Sequence, residues 1–454
     1  MSQILYYSTN LKAGNVSFRD ALLKGLAPDG GLFMPGKVPH ITPDEIASLS
    51  SKSYAEIAFE VVSRYLQDVV PDHELKALVN RAYDFEVPLE QVYDGNYIMR
   101  LDRGPTASFK DFAARMMGAL MQYFLIKEKR KITILTATSG DTGSAIANAF
   151  YGLDNIQVLI LYPEKEVTDR QRKQMTTLHN NVNILALDAK FDDCQALVKQ
   201  AFNDTELDYL GLSSANSINI GRLLPQSVYY FYAYSRLCDI KKNEKIIFTV
   251  PSGNFGNLMG GLLALKMGLP VGRFVVATNE NDEVPEYFRS GNYHTIVPSL
   301  NCISSAMNVG HPSNMARVVA LYNGQMNSRG EVIKDPDMAA MKKDMFTVSI
   351  TDEETRATIE NVYRRHKVLL EPHGAVGWAG LHKYFSIEKV ADSTAVVLET
   401  AHPAKFPQEI NKILGIDPDL PASLKGLEEK EEKFTRIENN YSIFKQYLKD
   451  HYSS

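Results

Sequence analysis

The stretch KITILTATSGDTGSAIANAF, residues 131–150, decides the fold class. Its first eight residues, 131–138, are mostly apolar or β-branched and predict a buried strand. The segment that follows is rich in glycine and hydroxyl side chains, and the alanine-rich remainder predicts a helix. A buried strand that passes through a short glycine loop into a helix is typical of a parallel sheet with helical crossovers.

The same alternation continues towards the C-terminus. Further strands are predicted at 158–163, 183–188, 245–250 and 395–401, and helices at 168–178, with Thr168 or Asp169 as its cap, and at roughly 219–237. Alternating strands and helices predict an α/β fold with parallel sheets, in which ligands bind at the carboxyl ends of the strands.

Composition divides the chain into regions of different character. The first part is helix-rich, the middle alternates strands and helices, and the end is highly charged. The predicted regions are an N-terminal subdomain (1–92), a smaller α/β domain (93–225), a larger α/β domain (226–418) and a charged tail (419–454), which we expect to form a solvated helix.

Charge and cysteine content exclude several functional classes. The formal net charge of -5 provides no basic surface for nucleic acid. No apolar run reaches the length of a membrane span, and the first residues lack a secretory signal pattern. The three cysteines and ten histidines show no metal-ligand spacing. We therefore expect a cytoplasmic protein with reduced thiols, which binds no metal, nucleic acid or membrane.

The first loop of chemical interest is TSGDTGSA, residues 138–145, between a predicted strand and a predicted helix. Backbone N–H groups at a helix N-terminus attract anions, so a carboxylate or phosphate could bind here. A tight turn with a Ser or Thr cap explains the same residues without a ligand. Asp-Thr-Gly is also the aspartic-protease triplet, but that fold is all-β and needs two catalytic aspartates.

A second loop, VPSGNFGN at 250–257, also follows a strand and precedes a helix. It lacks the GK[ST] ending of a P-loop and the complete GxGxxG of a dinucleotide-binding fold. It suits a single phosphate held by backbone N–H groups.

The third loop, LETAHPAKF at 398–406, places Thr400 at the end of an apolar strand. Its hydroxyl could hydrogen-bond a buried ring nitrogen, or it could simply cap the strand. We interpret His402 and Lys405 as structural or phosphate-facing rather than as metal ligands.

One lysine, Lys110 in SFKDFAAR (108–115), lies among apolar side chains near the start of a predicted helix. Desolvation would lower its pKa and free the amine to attack a carbonyl. Alternatively, Lys110 pairs with Asp111 or extends to water like an ordinary helix lysine.

Taken together, these stretches resemble a known family. The motifs that support the resemblance are YYSTN (6–10), SFRDALLKGLAPDGGLFMP (17–35), PTASFKDFAAR (105–115), TATSGDTGSA (136–145), ANSINIGRLLPQ (215–226), VPSGNFGN (250–257), ATNENDEVP (277–285) and ETAHPAKF (399–406). In this order they resemble the fold-type II pyridoxal-phosphate enzymes, which have a tryptophan synthase β-like fold. Within that group the chain is similar to the threonine synthase family, in its longer branch of enterobacterial and yeast enzymes.

The resemblance implies a lyase of threonine biosynthesis. Such an enzyme eliminates phosphate from O-phospho-L-homoserine and adds water at Cβ, giving L-threonine and phosphate. Lys110 would bind pyridoxal 5′-phosphate as a Schiff base and later act as the general base. The other implied cofactor-binding residues are Asp141, Gly253, Asn254, Phe255, Gly256, Asn257 and Thr400. The implied substrate-binding residues are Ser139, Gly140, Thr142, Gly143, Asn216, Ser217 and Arg222. The longer branch further implies a monomer or a homodimer.

Two expectations about the site depend on single residues. Many fold-type II relatives carry asparagine where this chain has Asp141, and an acid cannot donate there unless it is protonated. The hydroxyl of Thr400 beside the cofactor's ring nitrogen is expected to leave that nitrogen largely uncharged. The alternatives are a fold-type II threonine or serine dehydratase, whose substrates have no phosphate, and a non-catalytic relative that binds metabolites or a partner.

Overall fold

The computed structural model describes residues 3–138, 140–390 and 393–452, in which strands and helices alternate through most of the chain. The strands are β1 (Tyr6–Ser8), β2 (Phe33–Pro35), β3 (Leu89–Tyr93), β4 (Asn96–Arg100), β5 (Ile132–Ala137), β6 (Ile156–Pro163), β7 (Val182–Leu187), β8 (Leu212–Ser213), β9 (Ile246–Pro251), β10 (Val271–Thr278), β11 (Gln325–Met326), β12 (Val332–Lys334), β13 (Met345–Ser349), β14 (Thr394–Glu399) and β15 (Thr435–Ile437).

The α-helices are α1 (Phe18–Lys24), α2 (Pro43–Ser48), α3 (Tyr54–Leu66), α4 (Asp72–Ala82), α5 (Lys110–Glu128), α6 (Asp141–Phe150), α7 (Asp169–Thr176), α8 (Phe191–Phe202), α9 (Ile220–Leu223), α10 (Val228–Leu237), α11 (Gly256–Lys266), α12 (Glu283–Ser290), α13 (Met315–Leu321), α14 (Met338–Asp344), α15 (Asp352–His366), α16 (Pro372–Glu388), α17 (Pro407–Leu414) and α18 (Tyr441–Tyr452). Among the described residues, no helix is apolar over enough of its length to cross a membrane.

Two largely parallel sheets form the centre of the fold. The larger sheet has the strand order β13-β10-β9-β14-β4-β3, and only the β3–β4 pair in it is antiparallel. The smaller sheet has the order β15-β7-β6-β5-β8, and all its pairs are parallel. The predicted α/β class with parallel sheets is therefore confirmed. The central strands β5, β6 and β9 are nearly continuous apolar runs because helices cover both faces of such sheets.

The predicted helix over 219–237 is wrong in one respect. It is split into α9 and α10 by a 3-10 segment, Leu224–Ser227. Pro225 lies in that segment, and proline has no N–H to donate and clashes with the carbonyl four residues earlier. The break lets α9 turn Arg222 into the interior, where it is buried.

The prediction of a solvated C-terminal helix is also wrong. Strand β15 adds to the edge of the smaller sheet beside β7, and α18 buries Phe444 and Leu448. Those two side chains lie one helical turn apart and join the core cluster that contains Leu197 of α8. The charged run that precedes these residues made their apolar stripe difficult to recognise in the sequence.

The strand pairing departs from the predicted domain limits in two places. Strand β4 follows the predicted boundary at 92 but pairs with β14 in the larger sheet. The tail, in contrast, completes the smaller sheet. We propose a smaller domain that combines much of the segment between β4 and α9 with the C-terminal segment after α17.

Candidate active site

Three loops meet at the carboxyl ends of the central strands. The N-terminus of α5 lies against the end of β14, because the N–H of Phe109 donates to the carbonyl of Thr400 at 2.9 Å. The N–H of His402 donates to the carbonyl of Ala107 at 3.0 Å. Strands β14 and β9 are paired neighbours, so the loop after β9 ends at the same edge. Lys110, the first residue of α5, therefore lies where these chain segments converge.

Lys110 has the environment of a reactive amine. Its side chain is only 14% exposed, and its Nζ lies 4.0 Å from an oxygen of Asp141. Burial lowers the pKa of Lys110 to about 8, against the opposing charge of Asp141 and with further lowering from Lys405 and Arg222. About a tenth of the amine is therefore unprotonated at pH 7, which is the form that a nucleophile or base requires.

Asp141 has a clear set of partners. Lys405 Nζ lies 2.6 Å from its Oδ1, and Gln171 Nε2 donates to the same oxygen at 2.8 Å. Burial alone would raise the pKa of Asp141, but the charges of Lys405 and Lys110 outweigh it and hold that pKa well below its ordinary value. Asp141 is therefore an ionised acceptor between two lysines, which answers the question raised by its difference from asparagine.

Lys405 is a site residue whose role the sequence did not reveal. Its side chain is completely buried, and besides Asp141 it donates to the carbonyl of Thr106 at 2.9 Å. It thus connects the loop after β14 to the loop after β5 and to the segment before Lys110. We interpret it as the counter-ion of Asp141 rather than as a phosphate ligand.

The loop after β5 presents fewer free donors than its glycines suggest. The N–H groups of Gly140 and Gly143 donate to Thr138 Oγ1 at 3.0 and 2.7 Å, so they are not available to a substrate carboxylate. Among the described residues, the N–H groups of Asp141 and Thr142 have no acceptor, and they lie in the first turn of α6. Ser139, also predicted to bind substrate, lies outside the described residues.

The glycines of this loop are needed for close packing. Gly140 has a φ of 129°, and a Cβ there would lie 2.6 Å from the Gln171 side chain. A Cβ on Gly143 would collide with Met175 and Thr138. Both glycines therefore shape the turn that presents Asp141.

The loop after β9 packs closely against neighbouring parts of the chain. A Cβ on Gly253 would lie 2.7 Å from the carbonyl oxygen of Ala306, and Phe255 has a left-handed φ of 61°. Asn257 Oδ1 accepts from Tyr230 at 2.7 Å, whereas its buried Nδ2 has no partner among the described residues. An unpaired buried donor is costly, so Nδ2 indicates a ligand that accepts a hydrogen bond.

Arg222 is a buried guanidinium without a carboxylate partner in the described part of the chain. Its Nη1 donates to the carbonyl of Ala215 at 2.6 Å, and its buried Nε has no acceptor. Burial lowers its pKa to about 10, with the charge of Asp111 opposing. A buried cation with a free donor indicates an anionic ligand, since an uncompensated charge is unfavourable in the interior.

Asn216 and Ser217 lie in the segment that leads to Arg222, and Arg317 holds this segment in place. Arg317 is fully buried and donates to the carbonyls of Ser217 at 3.1 Å and Ile218 at 2.6 Å. Asn216 accepts a hydrogen bond from Thr136 of β5. The sequence did not indicate Arg317, because nothing in its local pattern distinguishes it from a solvated helix arginine.

Asn314, at the start of α13, joins two of these loops. Its Nδ2 donates to the carbonyl of Asn254 at 3.0 Å and to that of Ser217 at 3.3 Å. Its Oδ1 accepts from Arg317 at 2.7 Å. The loop after β9 and the segment that leads to Arg222 are therefore fixed to each other through one amide.

Thr400 and His402 have different surroundings at the end of β14. The Thr400 hydroxyl lies 3.3 Å from Glu371, a buried acid at the start of α16. His402 Nδ1 accepts from the N–H of Ala404 at 3.1 Å, and burial lowers the pKa of His402 to about 4. His402 is thus a neutral cap of its turn, and Thr400 lies buried at the end of β14 beside Glu371.

Comparisons with known proteins agree with this geometry. Residues 5–83 match the family model "Threonine synthase N terminus", residues 89–400 "Pyridoxal-phosphate dependent enzyme", and residues 374–448 "Threonine synthase, C-terminal". The threonine synthase of Haemophilus influenzae is 40% identical over 438 residues, covering 95% of this chain and 96% of that protein.

Solved structures agree as well. The crystal structure of threonine synthase from Brucella melitensis, described as PLP bound, has a TM-score of 0.92 and 36% identity, with all of both chains covered. The yeast threonine synthase structure has a TM-score of 0.89 and 32% identity, with 98% of both chains covered.

Proposed function

The chain belongs to the threonine synthase family of pyridoxal-phosphate-dependent enzymes, and on that premise we propose that it converts O-phospho-L-homoserine and water into L-threonine and phosphate. The observation that supports this substrate most directly is Arg222, a buried guanidinium with an unused Nε and no carboxylate partner among the described residues. A phosphate on the substrate would supply its missing counter-charge.

The residues fit the cofactor, pyridoxal 5′-phosphate. Lys110 supplies an amine of lowered pKa, and the glycine loop after β9 gives backbone access at the start of α11. The buried Asn257 Nδ2, which has no acceptor among the described residues, suits an oxygen of a phosphate bound by the same loop. We propose that Gly253 to Asn257 hold the cofactor's phosphate and that Thr400 faces its ring nitrogen.

In the proposed reaction the protein positions the substrate and transfers protons. The cofactor, when bound, supplies an electron sink for charge that develops at the substrate's carbons. The N–H groups of Asp141 and Thr142 bind the substrate carboxylate at the N-terminus of α6. Lys110 Nζ takes the proton from Cα, gives it up, and then takes the proton from Cβ, which its pKa of about 8 allows. After phosphate leaves Cγ, a proton is added at Cγ, water is added at Cβ and a proton returns to Cα, so that the products are L-threonine and phosphate.

The remaining charges of the site stay fixed during these proton transfers. Arg222 Nε and its second Nη group hold the phosphate before and after it leaves Cγ. Asp141, ionised between Lys405 and Lys110, keeps the amine of Lys110 oriented towards the substrate.

The proposed cytoplasmic location stays a prediction, which cell fractionation tests. The proposed monomeric or homodimeric state also stays a prediction, which gel filtration tests.

The role of Arg222 predicts a defect confined to the substrate. Arg222→Ala should lower kcat/KM for O-phosphohomoserine about 10- to 100-fold, since a charge-assisted hydrogen bond contributes about 1.5–3 kcal/mol. Arg222→Lys should recover part of the loss, because an ammonium lacks the guanidinium's fork of donors. Steady-state kinetics measure both variants, and cofactor absorbance should be unchanged in each.

A matched control for this experiment is Arg130→Ala, which removes an arginine that is 54% exposed. Its kinetics should equal those of the wild type. Wild-type kinetics in Arg222→Ala would instead show that the substrate's phosphate binds elsewhere.

The packing of Gly253 predicts a cofactor defect. A valine at position 253 would clash with the carbonyl of Ala306, so either the loop after β9 or the segment that contains Ala306 must shift. Overpacking of this kind costs about 1–3 kcal/mol, and we expect cofactor affinity to fall at least about tenfold. Titration of the apoenzyme with pyridoxal phosphate, followed by absorbance, measures it.

Gly14→Val serves as the control, because a Cβ at that exposed glycine has no neighbour within 4 Å. Equal cofactor affinity in the two valine variants would rule out the loop after β9 as the phosphate site.

A further inference from the structure

The hydroxyl of Thr400 contacts the carboxylate of Glu371, which accepts several other hydrogen bonds. Glu371 is completely buried and is the N-cap of α16. Its Oε2 accepts from the N–H of His373 at 2.7 Å, and its Oε1 from the N–H of Gly374 at 2.9 Å. The Thr400 Oγ1 lies 3.3 Å from the same Oε1.

A histidine adds a further donor to Glu371, and its tautomer follows from the backbone. The N–H of Ala306 points at His373 Nε2 at 3.0 Å. Because a backbone N–H only donates, Nε2 must be the unprotonated nitrogen, and Nδ1 carries the hydrogen. His373 Nδ1 contacts Glu371 Oε2, so the histidine donates to the carboxylate.

Glu371 therefore accepts from three N–H groups, and the ionised form is the one that needs no hydrogen of its own among them. The Thr400 hydroxyl lies beside the same carboxylate. The neighbouring Glu399 is also completely buried, and its Oε2 has no partner among the described residues. Burial and the negative charge of Glu371 raise the pKa of Glu399 well above its ordinary value. Arg100, 3.5 Å from Glu399, opposes this rise but does not outweigh it, so the proton of the acidic pair resides on Glu399.

We propose that Glu371 is a positioning residue which forces the Thr400 hydroxyl to donate towards it, so that the cofactor nitrogen facing Thr400 must be protonated. With its hydrogen directed at Glu371, Thr400 Oγ1 offers only lone pairs on its other side. A bare ring nitrogen would meet lone pair against lone pair, whereas a ring N–H makes a hydrogen bond. The inference rests on the proposed function, which places Thr400 at the ring nitrogen.

The proposal reverses the expectation drawn from the sequence, in which a threonine leaves the ring nitrogen largely uncharged. A side chain that both donates and accepts cannot set the protonation of its ligand until its own hydrogen is assigned. Here the chain of contacts from Ala306 through His373 and Glu371 to Thr400 assigns it. A protonated ring nitrogen withdraws electrons more strongly, which suits removal of protons from two successive carbons.

The test is solid-state ¹⁵N NMR of the wild-type holoenzyme, reconstituted with pyridoxal phosphate labelled at the ring nitrogen. The proposal predicts a signal in the pyridinium region. A signal in the region of unprotonated pyridine would overturn it. This measurement needs no variant, and it is independent of catalytic activity.

Two isosteric variants identify the residue responsible. In Glu371→Gln the amide oxygen should take the place of Oε2, which meets the two N–H donors of His373. The amide NH₂ then takes the place of Oε1, where it faces the N–H of Gly374 and the Thr400 hydroxyl. The hydroxyl is then free to donate to the ring, and the ¹⁵N signal should move to the unprotonated region. Glu399→Gln, the matched control, alters the neutral acid of the pair and should leave the signal unchanged. A pyridinium signal in folded Glu371→Gln would overturn the role of Glu371.

Failure of the proposed function is distinguishable from failure of this inference. Borohydride reduction followed by peptide mass spectrometry reports whether the label is attached to Lys110. A protein that does not retain the cofactor there contradicts the proposed function. Cofactor retained at Lys110 with an unprotonated ring contradicts only the inference about Glu371.

Discussion

Lys110→Ala should lose the visible absorbance of lysine-bound cofactor and should lower turnover by at least about 10²–10⁴-fold, the range expected for a lost general base. The physical reason is the position of the amine at the convergence of three loops, where burial lowers its pKa to about 8. Absorbance spectra and phosphate release, measured on purified protein with added pyridoxal phosphate, test both parts of the expectation.

Lys110→Arg separates charge from nucleophilicity. A guanidinium keeps the positive charge beside Asp141 but does not form the covalent link, because its pKa keeps it protonated. We expect Lys110→Arg to be folded and as inactive as the alanine variant. If Lys110→Ala retained the absorbance band and most of its activity, another lysine would have to bind the cofactor.

Lys405→Met should destabilise the fold by about 3–5 kcal/mol, the usual loss when one partner of a buried ion pair is removed. The completely buried Lys405 is 2.6 Å from Asp141, and the nearest remaining cation, Lys110, is 4.0 Å from that acid. Methionine fills a similar volume, so the expected loss comes from the uncompensated carboxylate. Urea unfolding of the wild type and of Lys405→Met, both without cofactor, measures this loss of stability.

The pH dependence of this loss has a definite sign. In the wild type the pKa of Asp141 lies below its unfolded value, so the ion pair stabilises the fold above the unfolded pKa of about 4 and is lost only at lower pH. Without Lys405, burial raises that pKa, and the folded variant gains stability as Asp141 takes up a proton. The difference between the two proteins should therefore shrink as pH falls from neutral towards about 4.

Lys165→Met is the matched control for this prediction. Lys165 also pairs with an aspartate at 2.7 Å, Asp188, but both side chains are more than 70% exposed, at 76% and 73%. Exposed pairs contribute little because water and salt screen them, so the urea midpoint should not change measurably. Equal effects of Lys165→Met and Lys405→Met would contradict the buried ion pair.

Local sequence was sufficient to predict the central strands and the loops that follow them. Residues 131–138 and 245–250 are mostly apolar or β-branched and lead into glycine loops, and they form β5 and β9 within a residue or two. The reason is physical, since strands covered on both faces need apolar residues throughout and their turns need glycine. The apolar neighbours of Lys110 within its own helix made it a candidate, but only the resemblance to the family assigned it to the cofactor.

Contacts between distant segments were not predictable in this way. Lys405 and Asp141 follow strands of different sheets, and nothing local to either residue indicates the other. Arg317 likewise acts on the carbonyls of a loop about a hundred residues earlier in the chain. The tail was misinterpreted because a charged run outweighed two apolar residues, Phe444 and Leu448, that only the fold brings against α8.

The most direct test of the proposed function is a product assay with the wild-type holoenzyme. O-phospho-L-homoserine is supplied as the only substrate, and phosphate, threonine and ammonia are measured together. The assignment of Lys110 and Arg222 predicts release of phosphate with formation of an equal amount of L-threonine, and no ammonia. Absence of phosphate release, together with ammonia formed when threonine or serine is supplied instead, would contradict it and identify a dehydratase.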